Sequence, residues 1–342
     1  MTITLEKAIE QYLITLGTEG KSLRYIGWLR ERLGYFTKFI RKTRGETYSL
    51  RDLNVEDGRD FIRDLMERDI KYRDHPMIKP KSGKLSIQYV HGCGRSVRSF
   101  STWANEEGYL DDNVMQRLKL PKLPKVFPEP LTEIQIKRVL DNCLYHTMEG
   151  QRNFTMMMLF FDCGLRLSEL INLRISKIDL AMGEMTILGK GNKERKVPFG
   201  TQTKKALIEY MAKARREPDN AQDADRLFLN CDGRLITPAV IAKLFERVKR
   251  ATELHDFHPH LCRHTFAVRY LINGGDVFSL QKILGHSSLE MTRKYVNLAS
   301  DDVKDKHRLY SPMDKLNKVK KTSSEAFFCY FRALELMRLV WE

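Results

Sequence analysis

Tyr295 stands nine residues after His286 in the stretch LGHSSLEMTRKYVN, Leu284 to Asn297. A phenol becomes a nucleophile once its proton is drawn off, and an imidazole changes protonation near neutrality. A short turn after His286, followed by a helix from about Ser288, would carry the tyrosine back beside the histidine. Cleaving a phosphodiester without metal takes a nucleophile, cations on the non-bridging oxygens and a proton donor for the leaving alkoxide. The rest of the chain offers candidates for each. Arg166 in CGLRLSEL precedes Glu169 by three positions, which alone reads as an ordinary helix ion pair. Lys190 lies in LGKGNKER, where two glycines permit a tight turn and leave the lysine free to reach a groove. HPHLCRHTFA supplies His260 and Arg263, spaced to share one face of a helical turn, with Pro259 suited to the helix start. His258 and His264 add to a histidine cluster, but no carboxylate or cysteine stands at ligand spacing, so no metal is expected.

These residues need a scaffold. TLEKAIEQYLITL, SLRYIGWLRERLGYFTKFI, VEDGRDFIRDLMERD and KLSIQYVHGCGRSVRSFSTWANEEGYL each repeat apolar residues at three- and four-residue steps, which predicts an all-helical N-terminal bundle over 1–117. Between its third and fourth helices, and into the fourth, Lys71, Arg73, Lys79, Lys81, Lys84, Arg95 and Arg98 face only Asp74, as in a solvated loop or a DNA-binding face. LKLPKLPKVFPEPLT holds four prolines and resists both helix and strand, so a linker is placed at 118–130. Over 131–300 the pattern predicts helices at about 132–144 and 151–161, another in GLRLSELINL, and a β-hairpin in EMTILGKGNKERKVPFG. The fold class is therefore mainly α, a helical bundle plus a mainly helical second domain with a small antiparallel β-sheet.

Composition narrows the partners. At 342 residues two domains are expected. With 59 Lys and Arg against 44 Asp and Glu, the formal charge of +15 points to a polyanion. No segment reaches the roughly 20 apolar residues of a membrane span, and the N-terminus lacks the apolar run of a signal peptide; a cytoplasmic protein that meets nucleic acid is expected, with no membrane. The six cysteines, at 93, 143, 163, 231, 262 and 329, form no CxxC pair, and reduced, mainly buried thiols are expected.

Arg166, Lys190, His260, Arg263, His286 and Tyr295 occur in the order and approximate spacing of tyrosine recombinases, and GLRLSEL, GKGNKERKVP, HPHLCRHTFA and LGHSSLEMTRKYV resemble the Xer-like branch of the phage integrase family. RSFSTWANEEGYLDDN resembles the last helix of that family's core-binding (SAM-like) domain. The resemblance implies site-specific recombination or integration of double-stranded DNA through a 3′-phosphotyrosine, without ATP, metal or other cofactor. It makes Tyr295 the nucleophile, Arg166 and Arg263 the phosphate clamp, Lys190 the leaving-group acid, His260 a general acid/base and His286 a donor to the phosphate, with Glu169 steadying Arg166. It further implies two domains clamping DNA as a C shape and a homo-oligomer, tetrameric in the synapse. Lys84, Arg95, Arg98 and Lys193 are expected DNA contacts. The chain departs from the pattern in its longer basic stretch and in the tail, 301–342. There TSSEAFFCYFRALELMRLVWE matches a capping box at Thr322 and Glu325, followed by an apolar helix suited to docking on a protein surface, either its own or that of a neighbouring protomer. A type IB topoisomerase-like enzyme, a non-catalytic DNA-binding regulator and a metal-dependent nuclease are the competing readings. The target sequence, a mobile-element host and any accessory proteins are not legible.

Overall fold

The computed structural model describes residues 3–46, 48–71, 79–124, 128–143, 146–189, 193–286, 288–290, 292–293 and 295. Lys190, Arg73 and the tail at 301–342 with its expected docking helix lie outside the described residues. The chain divides into two compact units, Met1–Val126 and Phe127–Glu342.

The first unit packs α1 (Leu5–Thr18), α2 (Leu23–Arg44), α3 (Val55–Glu67) and α4 (Ile87–Glu106). Thr4, Ser22, Asn54 and Ser86 cap their N-termini, each accepting from a backbone N–H of the first turn. The apolar stripes of the four helices meet in a core around Phe36, Phe61, Phe100 and Trp103, with Phe36 and Phe61 edge to face at 5.1 Å. Leu118 is buried in this core and Leu120 packs against it. The basic stretch also forms a ribbon that the periodicity does not reveal: β1 (Ile70–Lys71) and β2 (Lys81–Ser82) pair antiparallel. Two-residue strands are too short for alternation to register.

The second unit is organised around α6 (Met148–Cys163), whose Met156, Met157, Leu159 and Phe160 are fully buried. From Met156 to Phe161 the helix is apolar all round because elements cover it on several sides. Beside it lie α5 (Glu133–Asp141), α7 (Leu167–Ile171), α8 (Thr201–Glu209), α9 (Pro238–Thr252), α10 (Pro259–Ile272) and α11 (Val277–Leu284). Strands β3 (Ile178–Asp179), β4 (Glu184–Leu188) and β5 (Glu194–Pro198) form one antiparallel sheet in that order, with Glu184 opposite Pro198 and Leu188 opposite Glu194. This register turns Met185, Ile187 and Val197 into the core.

Candidate active site

Gly164 ends α6 in the left-handed region, with φ of 59°. A Cβ there would come within 2.4 Å of the Phe266 ring, so only glycine permits the turn that delivers Arg166. Arg166 is the cap residue of α7, and Glu169 reaches back to it: Oε2 accepts from the Arg166 backbone N–H at 2.8 Å, and Oε1 from its guanidinium at 2.8 Å. Arg195 of β5 approaches the same carboxylate with two parallel N–H donors, each at 2.9 Å, while its Nε donates to the Ile283 carbonyl at 2.7 Å. Burial would raise the Glu169 pKa, but the hydrogen bonds from Arg195 and Arg166 outweigh it and bring the carboxyl down to about 2. Glu169 thus joins α7 to the hairpin, and Arg195 joins the hairpin to the end of α11. The Arg166–Glu169 pair read from the sequence is one edge of this bracket.

Arg263, on the second turn of α10, is only 5% exposed. Its guanidinium donates to the carbonyls of Gly164 and Leu284, both at 2.7 Å, and to Nε2 of His286 at 3.1 Å. Gly164 caps α6 and Leu284 ends α11, so both carbonyls sit at the electronegative ends of helices. Among the described residues no carboxylate pairs directly with Arg263. Burial and the neighbouring Arg166 lower its pKa to about 10, which leaves it a cation at neutrality. His286 follows Gly285, the left-handed cap of α11, and its Nδ1 lies 3.0 Å from Oγ1 of the fully buried Thr292. Burial, then Arg263, Arg166 and Arg195, push the imidazole down to about 4.

Tyr295 is half-buried, with its ring between two imidazoles: His286 stacks at 6.2 Å between centroids, and His264 tilts against it at 5.3 Å. Burial raises the phenol pKa, and Arg263 and Arg166 pull it partly back. Arg166, Arg263, His286 and Tyr295 therefore converge from separate segments. His260 sits one turn before Arg263 but is exposed, and its nearest ring neighbour is His258 at 6.5 Å. His258 instead caps α10, its Nδ1 accepting from the Leu261 N–H at 3.1 Å. Of the expected DNA contacts, Lys84, Arg95 and Lys193 are exposed and Arg98 is half-buried. Arg95 and Arg98 of α4 share a cleft of about 670 Å³ with Arg24, Tyr25 and Trp28 of α2. In the second unit a cleft of about 460 Å³ runs from Arg166 past Arg174, Lys177 and Arg226 to Leu188 and Gly189 at the hairpin.

Arg195 and Thr292 are the residues that the sequence reading missed. Arg195 shares KERKVP with two lysines, and nothing in that triplet separates the one that turns inward. Thr292 lies three positions before Tyr295, on the same side of a helical turn, and that spacing was its available signal.

Residues 129–301 match the phage integrase family. The chain is 31% identical over 319 residues to tyrosine recombinase XerC of Oceanobacillus iheyensis, covering 92% of this chain and 99% of that protein. It is 31% identical over 218 residues to tyrosine recombinase XerD of Halalkalibacterium halodurans, covering 64% and 73%. Among solved structures, the Tn1549 transposon integrase in complex with circular intermediate DNA superposes with a TM-score of 0.66 at 20% identity, over 90% of this chain and 99% of that one. A lambda integrase dimer bound to a COC′ core site gives 0.65 at 15% identity, over 84% and 97%. The likeness to these two is one of fold.

Proposed function

Because the chain belongs to the phage integrase family and is a tyrosine-type site-specific DNA recombinase, we propose that Tyr295 attacks a DNA phosphate to form a 3′-phosphotyrosine and release a 5′-hydroxyl. The convergence of Arg166, Arg263 and His286 on the Tyr295 ring carries this reading. The two guanidiniums hold the non-bridging oxygens, a task suited to a planar, permanently charged fork. His286 donates a hydrogen bond to the same group. The phenol stays protonated at neutral pH, so a base must take its proton as it attacks, and His260, open to solvent one turn above Arg263, fills that role. Lys190 protonates the departing 5′-oxygen. The phosphotyrosine keeps the energy of the broken bond, so a second 5′-hydroxyl can attack it without ATP.

The substrate is double-stranded DNA. The first unit is the core-binding domain, meeting DNA through Arg95 and Arg98 of α4 with Lys84 before it, and Lys193 reaches DNA from the hairpin of the catalytic domain. Protomers assemble on paired sites as a homo-oligomer, tetrameric in the synapse, with the tail at 301–342 docking between neighbours. Among the described residues no helix is long and apolar enough to cross a membrane, and we place the protein in the cytoplasm.

The test is covalent capture. A pool of duplexes, nicked and randomised through the core, is incubated with the protein in EDTA, and SDS-resistant adducts are recovered and sequenced to give the substrate. Wild-type protein should form the adduct. Tyr295→Phe, which removes only the hydroxyl, should bind the recovered duplex without forming one. An adduct from the Phe protein would mean another nucleophile.

A further inference from the structure

The contacts around His286 fix which of its nitrogens carries the proton. A guanidinium only donates, so the 3.1 Å contact with Arg263 makes Nε2 the acceptor. Arg263, Arg166 and Arg195 surround the ring, Tyr295 covers its face, and burial among them keeps the imidazole neutral. The single ring proton is then on Nδ1, and it is donated to Thr292 Oγ1 at 3.0 Å. Thr292 is 0% exposed, which leaves little room for water to substitute for its hydroxyl.

This resting pattern is the reverse of the one the reaction needs. To donate to a non-bridging phosphate oxygen, His286 must carry its proton on Nε2. If the residue opposite Nδ1 were a carboxylate or a carbonyl, it could only accept, and Nδ1 would keep a proton in every state. The ring could then reach the phosphate only as an imidazolium, beside three arginines that oppose a further positive charge. A hydroxyl is different, because it accepts in one orientation and donates in the other.

We propose that Thr292 is a positioning residue whose hydroxyl reverses its hydrogen bond, so that His286 changes tautomer as phosphate takes the place of the Arg263 contact. At rest Nδ1–H donates to Oγ1 and Nε2 accepts from Arg263. With phosphate seated, Oγ1–H donates to Nδ1 and Nε2–H donates to the phosphate. One proton leaves Nδ1 and one arrives at Nε2, both exchanged with water during the motion that seats the DNA, so the ring is neutral before and after. The proposal rests on the reading of His286 as a donor to the phosphate.

Nitrogen-15 spectra of histidine-labelled protein distinguish the two neutral tautomers from the imidazolium, with His286 assigned by loss of its signals in His286→Gln. Free wild-type protein at pH 7 should show the neutral Nδ1–H form, and Tyr295→Phe protein bound to the captured duplex the neutral Nε2–H form. In the covalent-capture assay Thr292→Val should be at least tenfold slower than wild type, while Thr292→Ser should recover to within about threefold, with both variants melting alongside the wild type. Imidazolium or a retained Nδ1–H in the DNA complex would overturn the proposal, as would equal rates for the Val and Ser variants. Failure of wild-type protein to form any adduct would instead overturn the enzyme reading, and the free-protein tautomer is measured without DNA.

Discussion

Replacing Glu169 by Gln tests whether the bracket at the active site depends on charge. The carboxylate accepts four hydrogen bonds, two from Arg166 and two from Arg195, with its side chain 4% exposed. Its pKa falls from 4.5 to about 2, a difference of 4.5 − 2, or about 2.5. At about 1.4 kcal/mol per pKa unit this corresponds to roughly 3 kcal/mol of stability at neutral pH. Removing one partner of a buried ion pair costs about 3–5 kcal/mol, the same order. A glutamine amide has one oxygen, and its NH2 would face a guanidinium that also only donates. The folded value is depressed, so the stabilisation is fully present above the unfolded value near 4.5 and disappears as pH falls through the folded value near 2. Urea unfolding of the full chain, followed by far-ultraviolet circular dichroism, should show Glu169→Gln less stable by about 3 kcal/mol at pH 7. The gap should close steadily below pH 5. A loss under about 1 kcal/mol at neutral pH, or a gap that ignores acid, would refute the argument that the ionised carboxylate holds the bracket together.

Other outcomes follow from the same geometry. Arg166→Lys and Arg263→Lys keep a positive charge but lose the fork, so each should slow adduct formation by roughly 100-fold while duplex affinity, read by gel shift, changes far less. Equal losses in binding and cleavage would make these arginines mere anchors. Lys190→Ala should be rescued preferentially by a duplex with a 5′-bridging phosphorothiolate, since a thiolate leaves unprotonated; without that preference the acid lies elsewhere, and Lys193 is the nearest candidate on the hairpin. Arg95→Ala should weaken binding of the captured duplex and lower its logarithmic salt dependence by about one unit, as expected for one lost phosphate contact.

The parts of this molecule that were legible in the sequence are those written by local spacing. α1 to α4 repeat apolar residues on one face, so their existence shows in the pattern and their caps lie within three residues. The β4–β5 hairpin shows through its glycines, and Tyr295 through its distance from His286. What stayed hidden depends on contacts between distant segments. Arg195 meets Glu169 from 26 positions away and Ile283 from 88, and Arg263 finds its Gly164 carbonyl across 99. No window of sequence contains both partners of such a contact. Thr292 is close to His286 in the chain, yet its value lies in which nitrogen it faces, and that is settled only when α11 ends at Gly285 and the chain turns back.

Arg263 carries a full positive charge that helix ends and an imidazole meet directly and Glu169 offsets only from farther away, with no carboxylate bonded to it among the described residues. A carboxylate bonded there would have to be displaced before any anion could enter, and the pocket would then be selective against small, weak ligands. Without one, positive potential gathers around Arg263 and its neighbour Arg166. Any compact tetrahedral anion that fits there is a competitor for DNA, so sulfate, inorganic phosphate and vanadate should act as inhibitors of the cleavage step. An assay run in phosphate buffer would begin with part of the enzyme already occupied, and its measured activity would depend on the choice of buffer as well as on ionic strength.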